Sequence, residues 1–128
     1  MEYIKMTQAH VAQVAQLEKL CFSLPWSENS VTSELRNPLS LWIVAVEGET
    51  LAGYVGSQSV MGEADMMNLA VQPEFRRQGV GETLVSALVA ALAEQKVSSL
   101  TLEVRASNAA AISLYATWEA PFWCCSWT

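Results

Sequence analysis

The sequence predicts an α/β or α+β domain built on one mixed sheet. Three observations carry that prediction. Apolar runs at Leu41 to Val46, Leu51 to Val60 and Ala64 to Val71 follow one another with turn residues between them, as in an antiparallel run of strands. A long helical segment then separates the strand ending at Val71 from another at Ser98 to Val104. A strand-helix-strand unit of that kind implies a parallel crossover. Finally, 128 residues with 52% hydrophobic content fit one compact domain whose core needs neither staples nor a metal.

The elements follow in order. Tyr3 to Met6 can form a short first strand. Thr7 can cap a helix that runs to about Cys21, with Val11, Val14, Leu17, Leu20 and Cys21 on one broad face. Leu24-Pro25-Trp26-Ser27 breaks that helix, and Ser27 can cap a shorter one ending near Asn37-Pro38. Val31 and Leu35 would be its buried pair. Glu47-Gly48-Glu49 reads as the turn of a hairpin, and Gly53 and Gly56 in the return strand suggest bulging or close backbone approach. Gly62 marks the next turn, and Pro73 closes the strand that follows. The helix expected from Glu82 onward carries Leu84, Leu88, Ala91 and Leu92, flanked by Val85 and Val89, as a helix packed on a sheet should. Asn108 can start a last helix containing Ile112 and Tyr115.

Composition narrows the chemistry. The net charge of -6 disfavours nucleic-acid binding, which needs a basic face. It suits attraction of a basic peptide or amine. No apolar run is long enough to cross a bilayer, and Met1 to Met6 lacks the character of an export signal, so a cytoplasmic place of work is expected and no membrane partner. Cys21, Cys124 and Cys125 have the spacing of neither a zinc knuckle nor a redox pair, so no metal is expected. Cys21 reads as core. His10 reads as a residue near a helix start.

The densest chemical information is Arg76-Arg77-Gln78-Gly79-Val80-Gly81, between a strand and a helix. A helix opening after glycines exposes unpaired N–H groups and admits an anion to them. The arrangement suits a pyrophosphate. It lacks the lysine of a Walker loop, and the third glycine and later acidic residue of a dinucleotide fold.

Asn68-Leu69-Ala70-Val71-Gln72-Pro73-Glu74-Phe75-Arg76-Arg77-Gln78-Gly79-Val80-Gly81 resembles the cofactor motif of the GNAT N-acetyltransferases, and the resemblance extends to Tyr115. Cys21-Phe22, Pro25-Trp26-Ser27, Leu102-Glu103-Val104-Arg105, Asn108 and Ile112-Ser113-Leu114-Tyr115 resemble the RimI type. Its members acetylate the N-terminal alanine of a small-subunit ribosomal protein. The resemblance implies a mixed, mostly antiparallel sheet with helices on both faces and a parallel strand-helix-strand cofactor unit. It implies acetyl-CoA as cosubstrate and a ribosomal-protein N-terminal peptide as acceptor.

Residue by residue, it implies that the backbone of Leu69, Ala70 and Val71 pairs with the pantetheine arm. Arg77, Gln78, Gly79, Val80, Gly81 and Glu82 would wrap the pyrophosphate, and Asn108 would reach the far end of the arm. Glu103 would be the general base and Tyr115 the general acid. Blander readings stand beside these. Leu69 to Val71 also reads as a plain buried strand. Glu103 shares a strand face with Thr101 and Arg105, and alternation alone makes that a solvated face. The resemblance also implies that the loop region of Phe22, Pro25 and Trp26 helps form the acceptor groove; Trp26 reads equally as a plug at the rim of the core, Tyr115 as a core tyrosine and Arg76 as a surface charge. A lysine side chain or small amine as acceptor, and an impaired acetyl-CoA-binding fragment, remain as alternatives.

After Tyr115 the resemblance stops, in a tail with three tryptophans and two cysteines. The expectation is a single domain, 1–128, whose last strands are missing or replaced. The strand edge so exposed would be patched by the tail or left open to dimerisation.

Overall fold

The computed structural model describes residues 1–21, 25–97, 99–104 and 123–127, the last two segments as backbone strands. Six strands form one sheet in sequence order. They are β1 (Glu2–Lys5), β2 (Ser40–Glu47), β3 (Thr50–Val60), β4 (Glu63–Val71), β5 (Ser99–Val104) and β6 (Trp123–Trp127). The first four pair antiparallel, and β5 and β6 add in parallel. The helices are α1 (Val11–Cys21), α2 (Glu28–Arg36) and α3 (Val80–Glu94). The expected strands and helices up to Val104 are thus present. The tail contributes β6, which pairs along the edge of β5, as the patching alternative expects. The helix expected from Asn108 lies outside the described residues.

Strand β2 is buried on both faces, which is why it reads as an unbroken apolar run. Leu41, Ile43 and Ala45 face one core, shared with Val80, Leu84, Val85, Leu88 and Leu92 of α3. Trp42, Val44 and Val46 face the other, shared with Val11, Val14 and Leu17 of α1 and Val31 of α2. Helices therefore cover both sides of the sheet. Each fully buried leucine of α3 contributes about 1.5–3 kcal/mol by leaving water.

Two bulges reshape the strands. Ala45 pairs with Gly53 but Val46 with Leu51, so Ala52 is an extra residue in β3. The side-chain alternation skips there: Leu51 and Tyr54 join the α1 core, while Ala52 and Val55 join the α3 core. Likewise Gly56 pairs with Asn68 but Ser57 with Met66, leaving Met67 as the extra residue in β4. The close approach expected at Gly53 and Gly56 is real. A Cβ on Gly53 would meet the Ala70 carbonyl oxygen at 2.7 Å, and one on Gly56 the Trp42 ring at 2.6 Å.

The helix faces differ from expectation in three ways. In α1 the buried set is Val11, Val14, Ala15, Leu17 and Glu18, whereas Leu20 is 60% exposed. Cys21 is half-buried at the rim of the core, not within it. In α2, Val31 is buried together with Glu34, and Leu35 only partly covers the core. The caps follow the sequence. Ser27 Oγ accepts from the Ser30 N–H at 3.1 Å. Thr7 opens a 3-10 turn, Gln8–His10, in which His10 Nδ1 accepts from the Thr7 N–H at 2.9 Å, so His10 serves as a local cap. No helix among the described residues is long and apolar enough to cross a membrane.

Candidate functional site

Strands β4 and β5 pair only at Glu63–Ser99, Ala64–Leu100 and Asp65–Thr101. Beyond that point β4 runs on to Val71 and β5 to Val104 without a further pair, while β5 stays paired with β6 through Val104. The sheet opens between the second half of β4 and the end of β5. The bulge at Met67 sits where this opening begins, and bulges bend and twist a strand away from its neighbour.

Backbone direction inside the opening follows from one hydrogen bond. The Gln72 N–H donates to the Ala52 carbonyl at 2.7 Å, toward β3. Successive residues of a strand point their N–H groups to opposite edges, so Ala70 also faces β3, and Leu69 and Val71 face the opening. Arg76 Nε donates to the Val71 carbonyl at 3.0 Å, and its guanidinium reaches Cys21 Sγ at 3.6 Å. The expectation that Arg76 is only a surface charge is corrected here. It fastens the end of β4 to the end of α1.

The turn between β4 and α3 is built for exposed amides. A 3-10 turn, Pro73–Phe75, leads into it, and Gln78 Nε2 donates to the Glu74 carbonyl at 3.1 Å. Arg77 and Gly79 both adopt left-handed backbone, with φ 65° and 78°. Gly79 is the N-cap, and α3 starts at Val80, two residues earlier than the sequence suggested. Gly81 therefore lies inside the first turn, and only Gly79 opens the helix. The first intrahelical bond runs from the Thr83 N–H to the Gly79 carbonyl at 3.0 Å. The amides of Val80, Gly81 and Glu82 precede it and point out along the axis, where the helix dipole favours an anion. Glu82 offers this site its amide; its carboxylate would repel a phosphate.

Leu69, Ala70, Val71 and Arg77 to Glu82 thus meet at one end of the sheet. Glu103 lies in β5, two residues past the last pair with β4 and level with Ser126 of β6. Asn108 and Tyr115 lie outside the described residues. No group of three His, Cys, Asp or Glu suited to a metal occurs among the described residues.

On the α1 face, beside the opening, sits a polar cluster the sequence analysis missed. Glu18 is fully buried and accepts hydrogen bonds from the Tyr54 hydroxyl, from Asn68 Nδ2 at 2.6 Å and from the Trp26 N–H at 3.3 Å. Burial, then the Glu18 carboxylate, push the Tyr54 phenol far above the usual tyrosine range, so it remains a neutral donor. Tyr54 stacks on Trp42 at 5.6 Å, and Trp26 meets Trp42 edge-on at 5.5 Å. Trp26 is thus a plug at the core rim. A signal was present: Glu18 falls four residues after Val14 and seven after Val11, on the apolar stripe of α1.

This geometry, an opened strand edge beside a glycine-capped helix start, coincides with a match of residues 11–118 to the acetyltransferase (GNAT) family model. The chain belongs to the GNAT family. A Bacillus subtilis (strain 168) relative, provisionally named ribosomal protein bS18-alanine N-acetyltransferase, is 39% identical over 106 residues, 82% of this chain and 70% of its own length. The Escherichia coli (strain K12) ribosomal protein bS18-alanine N-acetyltransferase is 38% identical over 99 residues, 77% of this chain and 66% of its own length. The crystal structure of the ribosomal-protein-S18-alanine N-acetyltransferase from Escherichia coli superposes with a TM-score of 0.82 at 32% identity. That superposition covers 94% of this chain and 79% of the solved one. This GNAT chain thus matches about two thirds of the length of its curated relatives.

Proposed function

We propose that this chain is an acetyl-CoA-dependent N-acetyltransferase acting on the N-terminal alanine amine of a small-subunit ribosomal protein in the cytoplasm. The observation that carries the reading is the opening of β4 from β5 beside the N-terminus of α3. The names of the relatives support the acceptor. Residues 1–128 are read as belonging to one acetyltransferase domain.

The residues fit the donor. The outward edge of Leu69 and Val71 can pair with the amide-bearing pantetheine arm, with Ala70 holding the strand to β3. The amides of Val80, Gly81 and Glu82, with the Arg77-Gln78-Gly79 turn, can hold the diphosphate. The family resemblance assigns Asn108 to the far end of the arm. Bound there, acetyl-CoA supplies an activated acyl group. Glu103, directly or through a water, takes a proton from the incoming ammonium, whose α-amino pKa is about 8. The freed amine forms the new C–N bond. The Val71 N–H stabilises the negative charge that develops on the carbonyl oxygen. As the C–S bond breaks, Tyr115 protonates the departing thiolate. Transfer is direct. Cys21 has Arg76 beside it but no base within hydrogen-bond reach among the described residues, so it is a poor covalent nucleophile.

The test combines calorimetry with thiol release. Acetyl-CoA should bind, and coenzyme A release should depend on a peptide that begins with alanine, exceeding release with serine-start and internal-lysine peptides. Binding without release on any of them would overturn the assignment.

Arg77→Gly probes the anion site. Glycine relieves the left-handed strain but loosens the unfolded chain, so Tm should stay level or rise slightly. Loss of the guanidinium should weaken acetyl-CoA binding about tenfold, or about 1.4 kcal/mol. Unchanged Kd would remove Arg77 from the site.

A further inference from the structure

Glu18 is a fully buried acid for which the proposed chemistry has no use. Its two carboxylate oxygens divide their partners. Oε1 accepts from the Tyr54 hydroxyl in β3 and from Asn68 Nδ2 in β4. Oε2 accepts from the main-chain N–H of Trp26, in the segment between α1 and α2. One side chain therefore ties that segment to the strand that borders the opening, one residue past the bulge at Met67.

The layering of the fold gives the tie a consequence. Helix α3, with its anion-ready start, packs on one face of the sheet, and α1, Trp26 and Trp42 pack on the other. A donor anchored at the start of α3 enters the opening from the α3 side. An incoming amine then has the α1 side left to it, the side on which Glu18 joins the Trp26 main chain to Asn68 of β4. We propose that Glu18 is a positioning residue for acceptor binding: its Oε2 holds the Trp26 main chain in register with Asn68, and so sets the acceptor side of the opening. This rests on the acetyltransferase reading above.

Glu18→Gln separates the two halves of the cluster. The carboxamide has the volume of the carboxylate. With its oxygen at the Oε1 position it keeps the bonds from Tyr54 and Asn68, and its NH2 then faces the Trp26 N–H, donor against donor. The loop bond is lost and the strand bonds remain. Tyr54→Phe does the reverse: it deletes a bond to Oε1 and leaves Oε2 alone.

The expected result for Glu18→Gln is a rise of about tenfold in KM for the acceptor peptide, about 1.4 kcal/mol, with kcat and the KM for acetyl-CoA within about twofold. Tyr54→Phe should lower Tm while the acceptor KM holds. Residue-resolved hydrogen exchange gives a readout independent of activity. The Trp26 amide should be protected in the parent and should exchange faster in Glu18→Gln, with the β2 and β3 amides unchanged. The proposal is overturned if the Trp26 amide of the parent exchanges like a free loop amide. It is overturned equally if Glu18→Gln leaves the acceptor KM unmoved in an active enzyme, or if both variants only lose folded protein in parallel. A parent that acetylates no peptide sinks the functional reading instead, and the exchange experiment still decides the anchoring.

Discussion

Glu103→Gln is expected to lower turnover at pH 7 by about 10³-fold, within the range general-base groups supply, while acetyl-CoA affinity stays within about twofold. On the proposed reading, the reason is the acceptor. An α-amino group with a pKa of about 8 arrives mostly as ammonium at pH 7 and has no lone pair to attack with until a base removes its proton. A carboxamide in place of the Glu103 carboxylate cannot do so. The sign of the pH dependence follows. Above about pH 8 the amine deprotonates unaided, so the defect should narrow as pH rises toward about 9.5. Tyr115→Phe should be milder, about 10²-fold, because a thiol with a pKa of about 8.5 departs tolerably as its thiolate. Its defect should narrow above about pH 8.5, where the thiolate is the stable form and needs no proton. Steady-state rates at several pH values, with calorimetry of acetyl-CoA for each variant, check both. A Glu103→Gln defect of the same size at about pH 7 and about pH 9.5 would remove Glu103 from the role of base.

The position of Glu103 in the strand explains why the chemistry proposed for it is hard to read in the sequence. In β5 the alternation of Leu100, Leu102 and Val104 against Thr101 and Glu103 describes any half-solvated strand. What singles Glu103 out is that β4 leaves β5 after Asp65 and Thr101. That departure goes with an extra residue at Met67, and nothing in the residue types around Met67 marks a bulge. The same holds at Ala52, where a bulge moves Tyr54 to the α1 face. The backbone roles proposed for Leu69 to Val71 are invisible to side-chain patterns altogether, so they rest on the family resemblance. By contrast, β2, β3 and α3 were readable because their burial is periodic, and Ser27 because capping is local. The start of α3 differs from expectation by two residues since either Gly79 or Gly81 could have opened it; the left-handed φ of Gly79 decides. In α1 the apolar residues Leu20 and Cys21 outrank Glu18 on hydrophobicity. Three donors from three elements reverse that order by satisfying a buried carboxylate.

The same cluster makes one glycine hard to replace. Gly56→Ala is expected to destabilise the fold by about 3 kcal/mol, at the upper end of overpacking costs, with Tm falling by roughly 10 °C. An added Cβ would lie 2.6 to 2.8 Å from three atoms of the Trp42 indole. A flexible side chain could swing aside, but this ring is held. Tyr54 stacks against it with an interplanar angle of 12°, and Trp26 closes on it edge-on. Tyr54 is itself fixed by its bond to Glu18. Moving the indole therefore disturbs the stack, the Glu18 cluster and the Trp26 segment together. Gly79→Ala is the instructive contrast. Its Cβ would meet nothing within 4 Å, so only the left-handed φ opposes it, at about 1–2 kcal/mol. Crowding should outweigh backbone strain in this pair. Trp42→Phe supplies the decisive cross-check, because a smaller ring makes room for the methyl group. The double variant should be less destabilised than the sum of the single ones by more than about 1 kcal/mol in denaturant unfolding. If the two costs simply add, the clash with Trp42 is not what Gly56 avoids.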